Sequence, residues 1–235
     1  MRWLARGVLL GVIFQGLLGG FRVQLDARGL AMMHGAFAAV VLSLMGAVAT
    51  MLSPRWNGPV ERSPRLSREQ SVDRLSLARM SALMVPALLA AQFVVGGMIR
   101  HQGRALHEHL GLGIVAAIAI LANTVIALRT QDRWVRRSGA MLALMGLVQV
   151  SLGVGAWVTK FGFATAGYVA VADSILQVGT RSAHTVIGVL LVMTSVVHAI
   201  RTCRVCRLAG VGFNGLEELT ERTPAMGLAD RGGAS

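Results

Sequence analysis

Charge is scarce in this chain. Only 14% of its 235 residues are charged, against about 25% in an ordinary soluble domain. Hydrophobic residues make up 54% and the mean hydropathy is +0.61. The charge deficit comes with long apolar runs, so the chain reads as an integral membrane protein rather than a soluble domain. Acidic residues are rarest: 11 Asp and Glu against 23 Lys and Arg, a net charge of +12. In an apolar chain basic residues mostly set membrane orientation, so no nucleic-acid partner is expected.

Other absences narrow the reading. The two cysteines, Cys203 and Cys206, form a single CxxC; a structural zinc site takes four ligands and there is no second pair. The motif therefore reads as a reduced pair on the cytoplasmic side. After Arg2 and Arg6 the first apolar run passes into GLLGGFRV without an A-x-A cleavage pattern, which predicts a retained helix and not a signal peptide. The apolar segments lack period-two alternation, which argues against a β-barrel. No nucleophile triad, phosphate loop or zinc-protease motif stands out.

Six apolar segments are present, roughly 4–21, 29–52, 78–99, 108–128, 139–159 and 183–201. Each is long enough to cross a hydrocarbon core as a helix. The expected fold is all-α, a polytopic membrane bundle of six transmembrane helices. Seventeen Lys and Arg lie on the side of the N-terminus, the 53–79 loop, the 129–137 loop and the tail. The other side has six: Arg22, Arg28, Arg100, Arg104, Lys160 and Arg181. The positive-inside rule then puts both termini in the cytoplasm of a cell (inner) membrane protein. The expected organisation is a two-helix unit over 1–52, a polar, Pro-containing cytoplasmic linker over 53–78, a four-helix unit over 79–201, and a Gly-rich, disordered cytoplasmic tail over 202–235.

The six segments form three similar hairpins. The outgoing helices contain QGLLGG (Gln15, Gly19, Gly20), QFVVGG (Gln92, Gly96, Gly97) and QVSLGVG (Gln149, Gly153, Gly155). A spacing of four puts Gln and Gly on one helical face, and glycine there lets a helix or a flat ligand approach. Each returning helix has a His near its outer end: His34 in LAMMHGAFAA, His109 in HEHLGLG and His184 in SAHTVIG. Three imidazoles are thus expected at similar depth.

A histidine in a membrane helix either packs and hydrogen-bonds between helices or marks a functional site. Imidazole is an axial ligand of haem iron, and His109 and His184 meet the requirement of two ligands at one height. His107 competes with His109; the Leu110–Gly111 step leaves more room beside His109. Arg22 and Arg100, seven and eight positions after their Gln, suit either haem propionates or interfacial snorkelling. His101 reads as interfacial. His198 follows His184 by 14 residues, about 21 Å of helix. That spacing is similar to two-haem b-type cytochromes, but the matching positions are Val48 and Asn123, so a second haem has no partner ligand. Asp26, Glu108 and Asp173 are the outer carboxylates, either proton carriers or solvated loop residues.

These residues resemble the haem A synthase family, membrane enzymes that convert haem O to haem A. The matching stretches are QGLLGGFRV with LAMMHGAFA, QFVVGGMIRH with HLG, and VQVSLGVGAWVTK with AHTVIGVLLV, covering most of residues 3–201. The resemblance implies two four-helix bundles, the C-terminal one being similar to segments three to six and holding a b-type haem on His109 and His184. It implies haem O as substrate, with its methyl oxidised to a formyl, and haem O synthase or cytochrome oxidase assembly factors as partners besides the lipid bilayer. Gln92, Gln149, Arg22 and Arg100 are then expected around haem, and His34 as one ligand of the substrate haem. Segments one and two look like the family's third and fourth helices. The family's first two helices, with its catalytic Glu and other N-terminal His, have no counterpart here, so no catalytic residue is assigned. Two further classes stay open: a non-enzymatic b-type haem protein, and a helical scaffold whose histidines only pack.

Overall fold

In the computed structural model, which describes residues 2–58 and 68–209, the chain is an all-α bundle. Its helices are α1 (Arg2–Gln24), α2 (Arg28–Leu52), α3 (Arg68–Gln102), α4 (Leu106–Leu128), α5 (Arg133–Phe161) and α6 (Ile175–Leu208). All six are long and apolar enough to cross a membrane. In hydrocarbon each backbone N–H and C=O needs an internal partner, and a continuous helix supplies one for every residue but those at its ends. Two ends are capped by side chains: Asp132 accepts from the Trp134 and Val135 amides, and Ser174 from that of Gln177. Among the described residues there is no β-strand, only a Phe163–Tyr168 bridge in the α5–α6 connection.

Helices α3 to α6 form a ring in which α3 and α5 each pack on both α4 and α6. The helices α4 and α6 therefore face one another across the centre. The N-terminal hairpin adds to the outside: α2 lies against α3 and α6, and α1 packs on α2. The core follows this order, with Val85 and Leu89 of α3, Ala116 and Ile120 of α4, Leu142 of α5, Leu191 and Val192 of α6, and Ala39 of α2. Leu18 is the one buried hydrophobic residue of α1. The exposed Leu9, Leu10, Ile13 and Leu17 of that helix are the side chains expected on a lipid-facing surface.

Helix ends differ most from the apolar segments at four places. The helix α3 starts at Arg68, inside the expected 53–78 linker, α5 starts at Arg133, and α6 starts at Ile175, ahead of the expected 183, and runs on to Leu208. Apolarity stops where the hydrocarbon would stop, at about 30 Å, whereas hydrogen bonding along the axis does not. The linker's residues 59–67 and the expected disordered tail from 210 lie outside the described residues. Below, the upper end of the bundle is the one with the α1–α2, α3–α4 and α5–α6 connections.

Candidate functional site

The three Gln-x-x-x-Gly motifs and three histidines meet one another, hairpin by hairpin. A Cβ placed on Gly19 would stand 2.9 Å from His34 Cε1; on Gly96, 3.1 Å from His109 Cε1; on Gly153, 3.1 Å from His184 Cε1. The edge of an imidazole thus fills the space left by each glycine's missing side chain. The glutamines close the same junctions one turn away. Gln15 Nε2 donates to the His34 carbonyl at 3.0 Å and lies 3.4 Å from His34 Nε2. Gln92 Nε2 donates to the His109 carbonyl at 2.9 Å. Gln149 Nε2 lies 3.4 Å from His184 Nε2.

The contact is reciprocal in two hairpins. Cβ positions on Gly113 and Gly188 would lie 3.0 and 3.2 Å from the Nε2 atoms of Gln92 and Gln149. Each returning helix therefore carries His-x-x-x-Gly against the outgoing Gln-x-x-x-Gly. The reading of the sequence missed this second motif, although it is visible in HLGLG and HTVIG. The first hairpin has Ala38 at the equivalent place.

The ring arrangement brings two of the three histidines together. His109 and His184 face across the bundle at its upper end, with ring centroids 6.2 Å apart and planes at 84°. His107 and Glu108 are exposed, so His109 is the inward member of its pair. A metal–imidazole bond of about 2.0 Å, plus about 1.2 Å from nitrogen to ring centroid, puts the centroids of two opposed ligands about 6.4 Å apart. The observed centroid spacing of 6.2 Å is close to that value. His184 Nδ1–H donates to the Gln149 carbonyl at 3.2 Å, which leaves the lone pair on Nε2, as in metal-binding histidines whose other nitrogen is held by a carbonyl. The Gln149 amide at 3.4 Å is a long and therefore weak partner for that lone pair.

Unpaired polar atoms concentrate around the same junctions. His109 Nδ1, His34 Nδ1, and the Oε1 atoms of Gln15, Gln92 and Gln149 are buried without a hydrogen-bond partner. An unpaired buried polar group costs about 1–3 kcal/mol, so their clustering marks a place where packing alone is not the optimum. The donor set fits a b-type haem in chemistry and spacing: two imidazoles for iron and a cation for propionates. Arg100 Nη1 donates to Thr185 Oγ1 at 3.0 Å, which brings an α3 guanidinium to the residue beside His184. Thr185 is a site neighbour that sequence pattern gave no reason to select.

The other candidates sit apart from this pair. Arg22 lies in the last turn of α1 and is exposed, within electrostatic range of His101. His34 meets Gln15 and Gly19, and no second imidazole stacks against it among the described residues. Asp26 and Asp173 are exposed turn residues with positive φ, 43° and 56°, a conformation Asp tolerates better than most residues. Cys203 and Cys206 are free thiols; the Cys206 thiol donates to the Leu75 carbonyl at 3.2 Å. No group of three or more His, Cys, Asp or Glu suited to a metal ion occurs among the described residues, and a two-imidazole site falls below that count. Comparisons with protein-family models, curated proteins and solved structures found no match to this chain.

Proposed function

We propose that this chain is a membrane oxidoreductase of the haem A synthase type, holding a b-type haem between His109 and His184. The observation that carries the proposal is the 6.2 Å approach of these imidazoles from helices on opposite corners of the bundle. In this reading the two Nε2 atoms would hold the iron. Gln149 would orient His184 through its carbonyl, Gly96 and Gly153 would admit the rings, and Arg100 would meet a propionate by a charge-assisted hydrogen bond. Such a haem supplies one-electron chemistry. The substrate would be haem O, its methyl oxidised to a formyl by successive hydroxylation with oxygen from water, the four electrons and four protons passing to an external electron acceptor, for cytochrome oxidase assembly, in a cell (inner) membrane with the termini in the cytoplasm.

A second reading is favoured by His34, which lacks an opposing imidazole among the described residues. In it the protein binds b-type haem at His109 and His184 and moves electrons or handles haem without changing it.

A reduced-minus-oxidised spectrum of the purified protein tests the haem site. A low-spin b-type signal is expected, with His109→Ala and His184→Ala each abolishing it; a wild-type protein without that signal leaves the histidines as packing residues. Extraction of haem after co-expression with a haem O synthase separates the two readings. Haem A in the extract supports the enzyme, and haem B alone supports the electron-transfer protein.

A further inference from the structure

A second polar layer crosses the four-helix ring near its lower end, and neither the haem site nor its histidines use it. Asn123 of α4 and His198 of α6 are each 1% exposed. They follow His109 and His184 by 14 residues, which is two heptads and about 21 Å. Two heptads return to the same face in a left-handed bundle. Since His109 and His184 face each other across the centre, Asn123 and His198 look toward the same centre from the same opposed helices, one layer lower.

Their hydrogen bonds are half made. Ser138 Oγ lies 2.8 Å from His198 Nδ1 and donates to the Val135 carbonyl at 3.1 Å. A hydroxyl has one proton; in the tautomer where that proton stays on the Val135 carbonyl, Ser138 accepts from Nδ1–H and His198 Nε2 is left as an acceptor. Ser81 Oγ has two acceptors for its one proton, Asn123 Oδ1 at 3.0 Å and the Ala78 carbonyl at 3.1 Å, and the Asn123 amide nitrogen is a donor in either case. Both remaining atoms, His198 Nε2 and Asn123 Nδ2, are buried with no hydrogen-bond partner within the protein. A donor and an acceptor therefore look into one layer without reaching each other.

The space there suits a small guest only. A Cβ on Gly139 of α5 would lie 2.7 Å from Ala127 Cβ on α4 and 3.6 Å from His198 Cε1. Thr124 Oγ1 lies on the same seam, 3.3 Å from the Gly139 carbonyl and 2.8 Å from the Ile120 carbonyl of its own helix. A flat macrocycle does not enter between helices this close.

We propose that this layer is a binding site for one internal water, which accepts from Asn123 Nδ2 and donates to His198 Nε2. Water is the small neutral molecule that supplies both functions, and buried waters typically satisfy such otherwise unpaired groups. The bridge joins α4 to α6 at the lower end, as the imidazole pair does at the upper end, and it requires no haem.

Water-edited solid-state NMR of the full-length protein in lipid, with uniform carbon-13 and nitrogen-15 labelling, tests this. The His198 ring is assigned through the backbone of Val197, His198 and Ala199. Magnetisation transfer from water protons to His198 Nε2 is expected, with Nε2 unprotonated. Asn123→Leu should remove that transfer and move the Nε2 signal to higher frequency as its hydrogen bond is lost. Transfer to Nε2 only from the Asn123 amide protons would mean a direct side-chain bond and overturn the site. So would an Nε2 signal unchanged by Asn123→Leu. If that variant does not fold, the wild-type spectrum alone still decides between water and amide as the source.

Discussion

At the scale of single residues, the glycines opposite the histidines carry the sharpest expectation. Gly153 leaves its nearest imidazole carbon 3.1 Å from where a Cβ would stand, tighter than ordinary van der Waals contact. Gly153→Ala forces the His184 ring to shift, with an overpacking cost of about 1–3 kcal/mol. Such a shift also disturbs the Nδ1 bond to the Gln149 carbonyl that fixes the tautomer. The measurement is haem retention under dilution in detergent, expected to fall about tenfold for about 1.4 kcal/mol. Gly19→Ala is the matched control. Its clash with His34 is tighter, at 2.9 Å, but it lies in the hairpin that does not contribute to the His109–His184 pair, so the b-type spectrum should not change. Equal loss in both variants would mean that the glycines serve general helix packing and not the ligand geometry.

At the scale of elements, the hairpin is the repeating unit, and its interior differs from its exterior. Within a hairpin, Gln and Gly of one helix meet His, or His and Gly, of the next. Between hairpins the contacts are less alike. The helix α2 reaches α6 where a Cβ on Gly46 would lie 3.0 Å from both Met193 and Val197, and it reaches α3 where Met32 would lie 3.0 Å from a Cβ on Gly97. Small residues that let backbones approach are the usual means of association in lipid, where helices gain little from leaving an apolar solvent. Gly46→Leu should therefore lift α2 from α6 without opening the ring. Limited proteolysis is expected to cut the 53–67 connection at least several-fold faster than in the wild type, while the b-type signal persists. Loss of the signal in this variant would show that the ring depends on the N-terminal hairpin for its own packing.

For the whole molecule, orientation is the property that packing does not determine. The bundle would be equally well packed either way up, and what distinguishes its two ends is the excess of Lys and Arg below, 17 against six. A reporter fused after Ser235 should be active in the cytoplasm and silent when export is required for its activity. Moving the bias by adding four Lys to the 162–174 connection should reduce that preference measurably, since orientation follows the charges of short loops. A C-terminus found outside would invert the proposed placement of the His109–His184 pair.

The amino-acid order alone determined the helical class, the six apolar helices, the three-hairpin repeat and the place of each histidine on a returning helix. These follow from composition, from the period of the helix and from spacing, all of which are local. It also singled out Gln15, Gln92 and Gln149 with their glycines, though it left open whether a flat ligand or a protein group would fill the glycine faces; each is met by an imidazole of its own hairpin. The pairing of His109 with His184 was expected from their matched height in segments three to six, and only the tertiary structure supplied its geometry, ring centroids 6.2 Å apart across the ring. It also decided that Arg100 of α3 reaches Thr185 of α6, 85 positions away, and that Ser81 meets Asn123 and Ser138 meets His198. Helix spacing fixes depth and face along one axis. Which axis stands opposite is a matter of packing, and no periodicity in the chain encodes it.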